Sequence, residues 1–418
     1  MMLAIIIDII ITVFFLILLS YYFLLLRKQV SPGGKESFDG ISIIIPARNE
    51  EAFIGSAISS AMAARFSHGK EIIVIDDASN DRTKEVARSF GKSVRVFSLK
   101  EHSGKAKALN YGISKAKYQL VAVMDGDSVI GTESLIYAMD YLKEAKTCAV
   151  TSTIKVKNRN SFLGMWLHIE QVYNSLIRAL LSKINACITT PGPLSIYKKR
   201  DLLAVGGFSS KGYSEDVDIA VKLIRAGKKI AVSEKSIVET NMPTSVKGFV
   251  RQRVRFAKGW IHIFRKHLSP GRTIVDAYSL PIAFFWFVQA AVMSVYIISQ
   301  MLSGYLAYFF LRGDIISLGV IRYFFEWLSI IGLLKWGMGI ISGTVPLDYY
   351  SLVSIATTLL SYPLYFYAIF KYDKRFDLYH LIPLIFMFPF WLMIMLIYVF
   401  NLGELISGLK ENRWEKVN

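Results

Sequence analysis

The run from Leu3 to Leu26 restricts this chain most: it is almost wholly apolar, and Asp8 is its only charge. As a helix rising 1.5 Å per residue it reaches about 36 Å, enough to cross a hydrocarbon core of roughly 30 Å with some tilt. It lacks the short apolar core and small-residue cleavage site of a signal peptide, so it reads as a retained anchor. Arg27 and Lys28 follow at once, and positive-inside bias puts that end in the cytoplasm and the N-terminus outside. Apolar segments return near 280–311, 317–342, 350–370 and 379–401, and with 53% hydrophobic residues the chain is too apolar for an ordinary soluble protein. Four such spans would bring the tail (LKENRWEKVN) back to the cytoplasm, but would leave Lys371, Lys374 and Arg375 outside, against that bias. The segment 317–342 holds Arg322, Glu326 and Lys335. It spans, re-enters or lies at the interface, and Arg322 and Glu326, four residues apart, can pair.

Between the first and later apolar segments the pattern is different. A polar linker with Pro and Gly (29–40) leads into alternating strands and helices, the signature of a mostly parallel α/β sheet. Strands are expected at Ile41–Ile45, Glu71–Ile75, Val94–Leu99 and from Leu120. Helices are expected to about Ala64, over Thr83–Phe90 and over Ala106–Ala116. Leu120 to Ile130 reads LVAVMDGDSVI: a buried strand delivers Asp125 and Asp127 to a tight turn. Ligands collect at the carboxyl ends of such strands. Two neighbouring carboxylates suit a hard divalent cation, which in turn holds phosphates. One Asp-x-Asp arises by chance in about 400 residues, so the triplet alone is weak and its neighbours must decide. Asp76 and Asp77 end the second strand, where they could simply cap the next helix. Lys105 opens a helix, where the dipole disfavours a cation, so an anion is its more plausible partner.

The net charge of +17 is compatible with nucleic acid, anionic lipid or a polyanionic small substrate. No nucleic-acid-binding signature accompanies it, so nucleic acid is not expected as a partner. Cys148 and Cys187 are the only cysteines and point to neither a disulfide framework nor a zinc site. From Ser161 to Lys183 an apolar helical stripe faces a core or a membrane interface, with His168, Gln171, Asn174 and Arg178 on the other side. TTPGPLSIY is a strand bracketed by turn residues. Ser214-Glu215-Asp216 precedes an amphipathic helix, as a set of dipole-complementing acids or as a general base for an acceptor hydroxyl. Thr244 to Thr273 carries eight Lys/Arg and no acid, with Phe249, Phe256, Trp260 and Phe264 interleaved. That composition suits a lipid surface, and its arginines suit bidentate phosphate binding.

Seven motifs fall in order: IPARNE (45–50), DDASNDRT (76–83), GKAKALN (104–110), DGD (125–127), GGF (206–208), SED (214–216) and QRVRF (252–256). Together they resemble the membrane-embedded, inverting family-two glycosyltransferases, which include poly-N-acetylglucosamine, hyaluronan and cellulose synthases and ceramide glucosyltransferases. The resemblance runs through about 40–265. It implies an α/β GT-A domain, Rossmann-like, inserted between transmembrane helices and facing the cytoplasm of the plasma membrane. The domain would span 41–243 and the basic interfacial segment 244–275. A transmembrane helix at 1–28, a transmembrane region at 276–402 and a cytoplasmic tail at 403–418 would complete the chain.

The resemblance implies a nucleotide-diphosphate sugar donor, usually a uridine one, a polysaccharide or lipid acceptor, and Mg²⁺ or Mn²⁺. Asp77, with Asp76 beside it, would hold the nucleoside. Asp125 would hold ribose or phosphate and share the metal held by Asp127, and Lys105 would help at the donor. Asp216, beside Glu215, would be the base, and Gln252, Arg253 and Arg255 would meet the leaving diphosphate. Phe256 stands where the family's tryptophan usually stacks on the acceptor sugar, with Trp260 near enough to share that role. This departure bears on processive polymerisation more than on sugar transfer itself.

Overall fold

The computed structural model describes residues 2–28, 31–374 and 376–403. Gln29 and Val30 of the expected linker, Arg375, and the expected tail from residue 404 onward lie outside the described residues. The chain divides into two units, Met1–Leu26 with Ile282–Ser407, and Arg27–Pro281.

Helix α1 (Met2–Leu26) opens the chain. The second unit then runs β1 (Gly40–Ala47), α2 (Ile54–Ala63), β2 (Gly69–Asp76), α3 (Thr83–Arg88), β3 (Arg95–Ser98), α4 (Lys105–Lys115), β4 (Leu120–Val123) and β5 (Ser128–Ile130). It continues with α5 (Ser134–Leu142), β6 (Thr147–Val156), α6 (Phe162–Ser182), β7 (Ser195–Lys198), α7 (Lys199–Ala204), α8 (Glu215–Arg225), β8 (Lys229–Thr240) and α9 (Val246–His267). The strands form one eight-stranded sheet in the order β3-β2-β1-β4-β7-β6-β8-β5. The first four are parallel, as are β6 and β8, while β7 and β5 run antiparallel to their neighbours. This is the GT-A kind of mixed sheet that the motif order led us to expect. Every residue of β1 and of β4 is buried, which is why both read as continuous apolar runs rather than alternating ones. Ile41, Ile43, Ile45, Val74, Leu120 and Ala122 form the core with Ile54, Ala57 and Ile58 of α2. Each fully buried isoleucine is worth roughly 1.5–3 kcal/mol.

Two elements differ from the sequence reading. Leu120–Ile130 is not one strand and a turn: β4 lies mid-sheet, β5 lies at the far edge, and Asp125-Gly126-Asp127 is where the chain leaves one for the other. The polar side of α6 is also not solvated, for His168 and Arg178 are buried. The cause lies in β6, where several backbone groups find their partners in α6 side chains. Ile154 N donates to Ser175 Oγ (3.1 Å), Val156 N to His168 Nδ1 (3.3 Å), and Arg178 Nη2 donates to Ser152 O (3.4 Å). A buried strand group left without a partner would cost about 1–3 kcal/mol.

Residues 31–40 do not hang loose. Glu36 pairs with Lys198 (2.6 Å) and Arg200 (2.8 Å), pinning the strap to the end of β7.

A five-residue π-helical turn, Val275–Ser279, leads to α10 (Leu280–Tyr308), and α11 (Leu318–Leu328), α12 (Ile330–Ile341), α13 (Tyr349–Asp373), α14 (Leu378–Ile385) and α15 (Met387–Phe400) follow. Among the described residues three helices are long and apolar enough to cross a membrane, or up to five spans if the bent pairs α11/α12 (89°) and α14/α15 (54°) each count as one. In the first unit Ile7, Ile10 and Ile11 of α1 pack with Met293, Phe285 and Val353. The charged segment 317–342 is thus a helix broken at Ser329. Arg322 pairs with Glu326 (2.8 Å) as its spacing allows, and Lys335 joins the same carboxylate at 2.8 Å, lowering the cost of holding charges beside apolar surroundings.

Candidate active site

The carboxyl ends of β1, β2 and β4 converge, and the turns that leave them carry the expected residues. Ser128 N donates to Asp125 O (3.1 Å), which tightens the Asp-Gly-Asp turn. On the next strand Asp76 Oδ1 accepts from Ser79 N (3.2 Å) and so caps its own turn. Asp77 is 2% exposed and reaches instead to the loop before α4. It accepts from Ser103 N (2.7 Å), Gly104 N (2.8 Å) and the His102 ring at Nδ1 (2.8 Å). These bonds fix the start of α4 and therefore Lys105, its first residue.

Lys105 Nζ lies 2.6 Å from Asp125 Oδ1 and 3.4 Å from Glu215 Oε1, joining the Asp-Gly-Asp turn to the first turn of α8. Burial works against the lysine's charge, but the carboxylates of Asp125 and Glu215 outweigh it, so the proton is held more tightly than on an ordinary lysine. Asp216 follows Glu215. Burial, and then the charge of Glu215, push its carboxyl up to about 6, with Lys105 opposing. A carboxylate tuned to near neutrality is what proton abstraction from a hydroxyl at physiological pH calls for.

The loop before β7 belongs to this site, although its sequence read only as turn residues. Thr190 donates through Oγ1 to Asp216 O (2.8 Å). Gly192 packs onto the lysine–aspartate pair so closely that a Cβ there would lie 2.3 Å from Lys105 Nζ and 2.7 Å from Asp125 Oδ2. The Pro-Gly-Pro run was the available signal, since such a glycine commonly marks close approach of backbone to a site.

A cleft of about 450 Å³ opens over these groups, lined by Asp77, Lys105, Asp125, Asp127, Gln252 and Arg255. Its wall at Asn158, Asn241, Met242 and Thr244 was not anticipated. Asn158 and Met242 exchange hydrogen bonds of 2.6 and 2.8 Å, and Asn241 Nδ2 donates to Asp127 O (3.1 Å), so this wall is tied to the acidic turn. Asp125 and Asp127 are the residues that could hold a metal: both are carboxylates, hard oxygen donors that line the cleft, and fit Mg²⁺ or Mn²⁺.

The basic helix α9 splits its residues. Gln252 and Arg255 line the cleft, whereas Arg253 is buried and paired with Glu170 of α6 (2.7 Å, Nη1 to Oε1). The ring of Phe256 has the guanidinium of Arg253 5.5 Å and that of Arg255 5.6 Å from its centroid. Trp260 stacks on Phe264 at 5.6 Å. Neither Phe256 nor Trp260 is among the residues lining the cleft.

Comparison with known proteins identifies the domain. Residues 42–202 match the model of glycosyl transferase family 2. The chain carries a family-two glycosyltransferase domain. It is 29% identical to a poly-beta-1,6-N-acetyl-D-glucosamine synthase of Staphylococcus epidermidis over 298 residues, 70% of each chain. A synthase of the same name from Staphylococcus aureus is 30% identical over 230 residues, 54% of this chain and 55% of that one. Among solved structures, a mannosyltransferase from Pyrobaculum calidifontis, described in complex with GDP-Man and Mn²⁺, covers 88% of this chain and 100% of its own. Its TM-score is 0.57 at 20% identity, a likeness of fold. This glycosyltransferase is therefore homologous to polysaccharide synthases, and its apolar helices flank the GT-A domain.

Proposed function

We propose that the enzyme transfers a sugar from a nucleotide-diphosphate donor, a uridine one by preference, to the end of a growing polysaccharide at a membrane, with inversion at the anomeric carbon. The observation that carries this reading is the convergence of Asp125, Asp127, Lys105 and Arg255 on one cleft, with Asp216 linked to it through Lys105 and Glu215.

The donor's nucleoside sits at the Asp76–Asp77 end, and its diphosphate lies toward Asp127 and Arg255. Asp127 with Asp125 would hold a divalent cation, which would supply charge neutralisation for the diphosphate; the mannosyltransferase of like fold is described with Mn²⁺. Lys105 adds a positive charge at the donor. Arg255 offers its guanidinium fork to the leaving diphosphate, with Gln252 one turn before it on the same face. Arg253, held by Glu170, keeps α9 in register. Asp216 takes the proton from the acceptor hydroxyl. The hydroxyl oxygen bonds to the anomeric carbon from the face opposite the diphosphate as the bond to the diphosphate breaks, and one displacement inverts the centre. The domain faces the cytoplasm of the plasma membrane, supported by Arg27 and Lys28 after α1, and the basic face of α9 meets anionic lipid.

A second reading, transfer of one sugar to a lipid acceptor, is favoured by Phe256. Its ring is already covered by two guanidiniums rather than offered to a sugar face. Sizing the radiolabelled product of the purified protein separates the two: ladders of long chains support the polymerase, and a short lipid-soluble product overturns it.

A further inference from the structure

Asp218, two residues beyond Asp216, is a charged group that the proposed chemistry does not use. It is 2% exposed. His267 Nε2 lies 2.8 Å from its Oδ1, Lys266 Nζ pairs with the same oxygen, and Lys222 Nζ lies 2.9 Å from Oδ2. Burial works to raise this carboxyl, but His267, Lys266 and Lys222 overcome it and hold it well below the usual range. His267, itself buried, lies 3.1 Å through Nδ1 from Arg225 Nη1, and Arg225 Nη2 donates to His267 O (2.8 Å). An arginine can only donate, so Nδ1 accepts and Nε2 carries the proton given to Asp218. Arg225 also donates to Asp276 Oδ1 (2.6 Å), in the π-helical turn that leads to α10.

A second contact joins the same helices near the start of α8. A Cβ on Gly259 would stand 2.0 Å from Ser214 Oγ, and one on Gly212 would stand 2.4 Å from the His262 ring. Successive residues of a helix turn about 100°, so Asp216 and Asp218 point to opposite sides of α8. Holding Asp218 against α9 therefore aims Asp216 away from α9. A buried carboxylate with several cations is a poor source of stability, and a well-packed apolar set would serve as well or better. What such a group supplies is a fixed orientation.

We propose that Asp218 is a positioning residue for transfer: through His267 and Lys266 it locks the helix that presents Asp216 onto the helix that presents Arg255. Base and leaving-group arginine then keep one separation, and through Arg225 and Asp276 the same lock reaches the segment that enters the apolar helices. This inference rests on the reading of Asp216 as base.

The test uses the purified full-length protein with Asp218→Asn, His267→Leu, His267→Gln and Asp216→Asn. It measures transfer rate against donor concentration, affinity for UDP with Mn²⁺, and thermal melting. Asp218→Asn and His267→Leu should lower kcat by roughly 10-fold or more, by analogy with the cost of losing an outer-shell partner of a metal ligand. Affinity for UDP should stay within about twofold, and His267→Gln, which keeps an N–H donor, should recover most of the rate. Unchanged kcat in Asp218→Asn and His267→Leu overturns the proposal, as does a fall in kcat matched by equal losses of UDP affinity and of the melting transition. Should Asp218→Asn not fold, the contrast between His267→Gln and His267→Leu decides alone. An active Asp216→Asn overturns the base assignment beneath it, whereas an inactive Asp216→Asn beside a normal Asp218→Asn overturns the positioning role only.

Discussion

Gly192→Ala probes the centre of the site with one methyl group. The added carbon would meet Lys105 Nζ at 2.3 Å and the Asp125 oxygens at 2.7 and 2.8 Å. The lysine is the flexible partner, so its ammonium must retreat by about 1 Å to reach ordinary van der Waals distance. The Lys105–Asp125 separation then grows from 2.6 Å to roughly 3.6 Å. At an effective dielectric of about 20 the attraction falls from about 6.4 to about 4.6 kcal/mol, a loss of about 2 kcal/mol. If the displaced ammonium is equally missed at the diphosphate in the transition state, kcat/KM for diphosphate release falls by roughly 30-fold. Initial rates with a nucleotide sugar and Mn²⁺ give this number directly, and a melting curve within a few degrees of wild type shows that the fold survives. A Gly192→Ala enzyme with wild-type kcat/KM would refute the view that this loop holds Lys105 and Asp125 in working contact.

Other consequences follow from the same contacts. Asp127→Asn should abolish Mn²⁺-dependent diphosphate release and weaken Mn²⁺ binding in the presence of UDP, read by electron paramagnetic resonance; unchanged metal binding would count against Asp127 as ligand. The rate should rise with pH to a plateau with a midpoint near 6, the value to which burial and Glu215 push Asp216, and fall about tenfold per unit below it. Because that carboxyl is raised by folding, the native state binds more protons than the unfolded one just below pH 6, so stability declines as pH rises through this range. Asp216→Asn should remove the decline, leaving an inactive enzyme whose melting temperature exceeds wild type more at pH 8 than at pH 5. Glu170→Ala takes the paired carboxylate away from the buried Arg253 (the side chains are 5% and 6% exposed) and should cost roughly 3 kcal/mol. For a domain of this size that lowers the melting temperature by roughly 10 °C, measurable by scanning calorimetry.

What could be read in the sequence was the part built from consecutive residues. Ile41–Ile45, Glu71–Ile75 and Leu120–Val123 are apolar runs ended by polar turns, so β1, β2 and β4 and the acids at their ends were visible. Lys105 was visible because a cation at a helix start lacks a local reason. The remainder depends on partners distant in the chain. Arg253 and Arg255 look alike in sequence, and only Glu170, 83 positions away, separates the cleft-facing guanidinium from the buried one. His168 and Arg178 looked like an outer face because β6 had not been recognised as the strand whose backbone they satisfy. Gly192 and Thr190 read as turn residues, since nothing local shows that Lys105 and Asp216 pack against them. Asp218 belonged to an acidic first turn that complements the helix dipole equally well, and its pairing with His267 needs the fold.

The most direct test of the account is diphosphate release from a panel of nucleotide sugars by purified full-length protein, with and without Mn²⁺, beside Asp216→Asn. The account predicts release from at least one UDP-sugar that requires the metal, with transfer of the sugar to product by wild type and none by Asp216→Asn. Metal-independent release, or sugar transfer by Asp216→Asn at the wild-type rate, would contradict it.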